Sequence, residues 1–352
     1  MNANTKMSPQ EWLDWQLRDF NGYKDLDELQ SCLLSSHAKI EAARLNIQKY
    51  TSPEFAGMYN REDIQRNEDR IEWALELKTL IEKEIADFPP LPVLPPPGPL
   101  EKISGVVEEV TLTKAMACFD AEAYSTMKDE LERKRNRDNA GAAIAMAAQT
   151  LSGTAPHALI NDGKANKLKC LYIKGKVNGK LFSGWLGMTN IRSGDFAEMA
   201  VVPSGDGYLT YAVANPELRT ISLTPKCDMG YNTISLKQGM VIWLSFGAVF
   251  YAIGLAAAPS NWIITTVLYI AMSFLMSHFI MWRLRKENRY IMRLYDETCD
   301  VFMIPEYKKT GFRGYSKKKA KEVKLANGTP RSENVIMPNQ NVNYVYEYFF
   351  YY

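Results

Sequence analysis

Histidine is scarce in this chain: three in 352 residues, at positions 37, 157 and 278. They lie in three different segments, and no two have the spacing of metal ligands. The five cysteines, at 32, 118, 170, 227 and 299, form no CxxC pair and no regular framework. That pattern suits a reducing compartment and argues against a disulfide-stapled scaffold. No GxSxG or HExxH occurs, and "NDGKANK" lacks the glycines and the Ser/Thr of a phosphate loop. With no catalytic constellation and no cofactor or metal site legible, the reading is non-enzymatic. The N-terminus, "MNANTKMSPQEWLDWQ", lacks the short apolar region and small-residue cleavage site of a secretory signal.

The most informative absence is of charge. No Lys, Arg, Asp or Glu occurs between Lys237 and Arg283. Two apolar runs fill this interval, Met240 to Ala258 (19 residues) and Trp262 to Trp282 (21 residues), divided by Pro259-Ser260-Asn261. About 20 helical residues match the ~30 Å hydrocarbon core of a bilayer. Neither run carries the polar face of a surface helix. Trp243, Trp262 and Trp282 fall near the run ends, where indole favours the membrane interface. The expectation is a two-helix transmembrane hairpin. The segment "RLRKENR" at 283–289, with four basic residues and one acid, keeps both long flanks and both termini cytoplasmic. Ala248, Ala252 and Ala256 form a small-residue ridge on the first run, and Ser273 and Ser277 form one on the second. Such ridges let the two helices of a hairpin pack, and equally permit self-association between copies. His278, four residues before Trp282, is either a functional intramembrane group or one that snorkels to the headgroups.

The bland net charge of +2 conceals an asymmetry. Residues 1–88 hold 11 basic and 17 acidic residues, net −6; residues 283–324 hold 13 and 6, net +7. A basic stretch beside a bilayer is drawn to anionic lipid. It contains no nucleic-acid reading motif, so no nucleic-acid partner is expected.

The soluble segments read as α+β. Ser8-Pro9-Gln10-Glu11 is a capping box that starts a helix. Heptad seams follow over 24–50 (Leu26, Leu29, Leu33, Ser36, Ile40, Ala43, Ile47) and 61–87 (Ile64, Ile71, Ala74, Leu77, Ile81, Ile85), predicting a helical coiled-coil-like hairpin or bundle over 1–88. His37 lies on its side or edge as a structural residue. The prolines of 89–100 predict a stiff spacer. Over 101–157 come a strand at 103–113 and an Ala/Gly-rich helical segment, "NAGAAIAMAAQTLSG". Over 158–235, alternation with turns at Asn178-Gly179 and Ser204-Gly205-Asp206-Gly207 predicts a small barrel of SH3 or OB type. Tyr172, Trp185, Phe196, Tyr208 and Tyr211 are available as a binding face, but alternation makes most of them core. The hairpin occupies 236–284. The rest, 285–352, is a basic cytoplasmic region: an amphipathic helix or strand near the membrane, a basic loop, and an aromatic tail. Seven of the last nine residues are Tyr or Phe, suiting an interfacial anchor or an edge strand.

Several features of 101–285 resemble a family of Gram-negative membrane proteins described as type VI secretion system effectors. They are the Gly194-Asp195-Phe196 step, the run Pro216-x-x-Arg219-x-Ile221-x-Leu223-x-Pro225-x-Cys227, the Ala/Gly-rich helix before them and the hydrophobic pair after. The family carries His before that Cys, where this chain has Lys226. The resemblance implies an antibacterial effector that inserts its hairpin into an inner membrane, with a secretion chaperone or cognate immunity protein as partner. The alternative is a resident inner-membrane scaffold, immunity or sensor protein with cytoplasmic partner-binding domains.

Overall fold

A computed structural model describes residues 7–18, 22–55, 58–119, 167–230, 248, 251, 262–287, 289–308, 311–312, 316, 318–320, 322, 336–338 and 348–352. The Ala/Gly-rich segment, parts of the basic loop, residues 323–335 and most of the first apolar run lie outside the described residues. The described chain divides into two compact units.

The first unit is helical. α1 (Pro9–Arg18) begins at the predicted capping box: Ser8 N donates to Glu11 Oε2 at 2.9 Å, and Glu11 N donates to Ser8 Oγ at 3.2 Å. α2 (Leu26–Tyr50) is capped by Asp25, and α3 (Arg61–Ala86) by a capping box of Asn60 and Asp63. Leu13, Leu29, Cys32, Leu77 and Ile81 make the core. The seams come out as read, with two changes. Cys32 is buried where Leu33 was predicted, and Asn67 fills a gap in the α3 seam that no apolar residue occupies. His37 is exposed, on an edge of the bundle.

Two strands contribute their outer ends to this unit. β1 (Glu101–Cys118) runs five residues past its predicted end, and β2 spans Lys167–Val177. Residues 112–118 and 167–172 belong with the helices. There Lys24 bridges to Ala115, and Lys167 forms ion pairs with Asp25 and Asp27.

The second unit is built on a closed barrel. β1 and β2 are joined by β3 (Lys180–Leu186), β4 (Phe196–Ser204) and β5 (Gly207–Asn215). Around the ring the order is β1-β2-β3-β5-β4, closed by a parallel β3–β5 pairing and an antiparallel β4–β1 pairing. Both predicted turns are present: Asn178 and Gly179 take positive φ (52° and 75°), and Ser204 pairs with Gly207 across the second. Closure depends on Gly184, which lies opposite Thr210; a Cβ there would collide with the Thr210 carbonyl oxygen. Val107, Ile173, Val177, Phe182, Leu186, Met199 and Val213 fill the interior.

The sheet continues beyond the ring. β6 (Thr220–Leu223) pairs with β5, and β7 (Phe349–Tyr351) pairs with β6, from Thr220↔Tyr351 to Ser222↔Phe349. The aromatic tail is therefore an edge strand, with Tyr348, Phe349 and Tyr351 buried. The proline-rich segment is more than a spacer: Leu94 is buried, and Tyr211 Oη donates to the Val93 carbonyl at 2.9 Å.

After the barrel come α4 (Trp262–Glu287) and α5 (Arg289–Val301). α5 is amphipathic as predicted, but its apolar face is buried within the chain, through Ile291, Met292, Leu294, Tyr295 and Cys299. Tyr295 Oη donates to the Tyr307 carbonyl at 2.7 Å, and its ring meets Phe312 edge-on at 5.5 Å. Part of the predicted basic loop is helical: Phe312 is fully buried and stacks on Phe350, and Ser316 Oγ accepts from Tyr351 N at 3.0 Å. Charge patterning gave no hint of these aromatic anchors.

Candidate functional site: an exposed apolar helix and the strands on either side of it

α4 is inside out. Thr266, Tyr269, Ser273, Ser277 and Met281 recur at steps of three and four, and this face is covered. Ser273 and Ser277 are buried, each hydroxyl donating 2.6 Å back to the carbonyl four residues earlier. On the remaining surface Ile263, Ile264, Val267, Leu268, Ile270, Met272, Phe274, Leu275, Phe279 and Trp282 are each at least half-exposed. Ten large apolar side chains left so exposed in water forgo on the order of 10 kcal/mol of burial. In lipid they lose nothing, and small or hydroxylic residues are what membrane helices place at their contacts. Over Thr266–Arg283 the mean hydropathy is 1.2 and 17% of the stretch is buried. Among the described residues this is the one helix long and apolar enough to cross a membrane.

Of the first small-residue ridge, Ala252 and Ala256 lie outside the described residues. Ala248 is helical and exposed. Tyr251, on the same run, touches α4: its hydroxyl lies 2.8 Å from Thr266 Oγ1, and its ring stacks on Tyr269 at 4.8 Å. Sequence reading overlooked this polar contact. Its signal was the recurrence of Thr266, Tyr269, Ser273 and Ser277 on one helical face. His278 is exposed, stacked on Phe274 at 6.2 Å, and points away from the covered face.

The residues of the family resemblance serve the barrel. Gly194 (φ 95°) and Asp195 tie the β3–β4 connection to β1: Gly194 N donates to Val107 O at 2.8 Å, and Val107 N to Asp195 O at 2.9 Å. The Asp195 carboxylate accepts from Arg192 N at 2.9 Å. Pro216 and Arg219 form the β5–β6 turn, closed by Leu218 N donating to Asn215 Oδ1, with Arg219 at φ 50°. Pro225 and Cys227 are buried in the turn after β6. Burial, then the neighbouring Asp228 carboxylate, pushes the Cys227 thiol far above its ordinary range, which makes it a packing group and a poor nucleophile. Of the barrel aromatics, Tyr172, Trp185 and Tyr211 are core, whereas Phe196 is half-exposed. Among the described residues, no three His, Cys, Asp or Glu side chains are grouped to hold a metal ion.

The helical unit carries a hollow of its own. A groove of about 600 Å³ between α2 and α3 has Ala43, Asn67, Trp73 and Ala74 in its walls and Lys39 and Arg70 at its rim. The Lys39 ammonium sits 5.6 Å from the Trp73 ring.

No protein-family model, curated protein or solved structure matches the chain.

Proposed function

We propose that the chain is a hairpin-anchored protein of the bacterial inner membrane, crossing it twice between 240 and 282 and holding its barrel on the cytoplasmic side. The observation that carries this reading is the pairing of β6 with β7. One strand precedes the apolar segment and the other follows it, yet they share a hydrogen-bonded ladder. A ladder cannot straddle a bilayer, so the chain must leave and re-enter on one side. That requires an even number of crossings. α4 supplies one, and the run from Met240 to Ala258, whose Tyr251 meets α4, is the candidate for the other. The basic residues at 283–289 assign the shared side to the cytoplasm.

On this anchorage, the geometry favours a resident scaffold. Ser273 and Ser277 are already buried within the chain, which removes one ridge from service in self-association. The α2–α3 groove offers a partner a seat, and the barrel has the strand order of an OB fold, a frame that presents ligand surfaces on many proteins. The effector reading, in which the hairpin perturbs a target cell's barrier, draws support from the resemblance over 101–285.

Expression in susceptible bacteria without neighbouring genes separates the two. A scaffold accumulates in the membrane with potential and growth unchanged. An effector depolarises the cells, and the effect disappears when residues 239–282 are deleted. Toxicity that survives the deletion contradicts both and indicates an activity of the soluble units.

A further inference from the structure

α4 carries a second, outward feature that the crossing itself does not require. Phe274, His278, Trp282 and Lys286 follow one another at i, i+4, i+8 and i+12, a single slanting row on the exposed surface. With Leu275 and Phe279, the first three enclose a hollow of about 320 Å³. Phe279 and Trp282 lie 6.0 Å apart, and the Lys286 ammonium sits 5.2 Å from the centre of the Trp282 ring. The row thus runs from an apolar hollow through an imidazole and an indole to a cation, over about 18 Å of helix.

Resting on the membrane reading above, we infer that this row is a site for one anionic phospholipid of the cytoplasmic leaflet. The charge order fits that ligand. Lys286 meets the phosphate, with exposed Arg283 and Arg289 adding positive potential at the same helix end. The indole lies at the depth where headgroup and acyl chain meet. An imidazole always keeps at least one N–H, which His278 offers to an ester carbonyl below the phosphate. An acyl chain then occupies the hollow on Leu275 and Phe279. A zwitterionic lipid presents the same phosphate, but its own cation repels Lys286.

Trp282 reports on this directly. The full-length protein is reconstituted in phosphatidylcholine vesicles with an equal mole fraction of either brominated phosphatidylglycerol or brominated phosphatidylcholine. The difference between wild type and Trp282→Phe isolates the quenching of that indole. Attraction by one interfacial cation enriches an anionic lipid about fivefold, so the brominated anionic lipid should quench Trp282 several-fold more. Lys286→Gln, at an exposed helix end, and the pair His278→Leu with Lys286→Gln should remove most of that preference, about fivefold for the one cation lost, at unchanged membrane yield. Equal quenching of wild type by both lipids overturns the site while leaving α4 in the bilayer. Selectivity that persists in both variants assigns it to the general basic flank and also overturns the site. Quenching by neither lipid removes α4 from the bilayer, and the membrane reading fails with it.

Discussion

Tyr295 has no exposed surface, and its hydroxyl donates 2.7 Å to the Tyr307 carbonyl. Tyr295→Phe keeps the ring and deletes that bond, so it should lower stability by about 1 kcal/mol in denaturant titrations. Gly184→Val meets a harder obstacle, the Thr210 carbonyl across the β3–β5 seam. It should cost about 3 kcal/mol and expose amides of both strands to hydrogen exchange. Cys299 gives a pH signature. Burial, ahead of a hydrogen bond with Tyr295 that acts the other way, pushes its thiol up to about 12, from about 8.5 in an open chain. A pKa raised in the folded state means the stability is complete below about pH 8.5 and falls as pH rises towards 12. The melting temperature should decline over that window, where the buried Cys170 and Cys227 thiols act with the same sign, and Cys299→Ser should lessen the decline, while iodoacetamide should label Cys299 only on unfolding. Little of this was legible in the sequence. The Ser8–Glu11 cap was, because its partners are three residues apart. Gly184 looks like any strand glycine until its partner strand is known, and nothing near Tyr295 in sequence points to Tyr307.

At the scale of elements, the periodicities transferred well. Helices α2 and α3, both hairpin turns and the β1 strand arise from local patterns, and local patterns are visible in sequence. What escaped was pairing across distance. The last strand of the sheet lies more than 120 residues after the strand it covers, and only its aromatic content hinted at an edge strand. A fragment ending at 235 therefore lacks β7 and α5. Without the tail Ile221 loses Phe350 opposite it, and Leu223 N loses the Tyr348 carbonyl. Removing residues 349–352 strips two fully packed aromatics, each worth about 3–5 kcal/mol on truncation. A 101–235 fragment should melt broadly or aggregate, and co-expression with 289–352 should restore a cooperative, β-rich melt. A sharp melt of 101–235 alone would mean that the five-stranded ring is self-sufficient and the tail only decorates it.

At the scale of the whole chain, hydropathy singled out the apolar segment that holds α4, because a charge-free length needs no tertiary knowledge. Hydropathy could not identify which face of α4 is covered and which is exposed. That depended on Tyr251 and on the covered row from Thr266 to Met281. The proposed hairpin requires that β6 and β7, on either side of 240–282, share one compartment. Reporter fusions in a Gram-negative host test it most directly, with a phosphatase active only outside the inner membrane and a fluorescent protein active only in the cytoplasm. Fusions after residues 230, 290 and 352 should fluoresce without phosphatase activity. An insertion at Ser260 should give phosphatase activity without fluorescence. A cytoplasmic signal at Ser260, or opposite signals at 230 and 352, would contradict the hairpin.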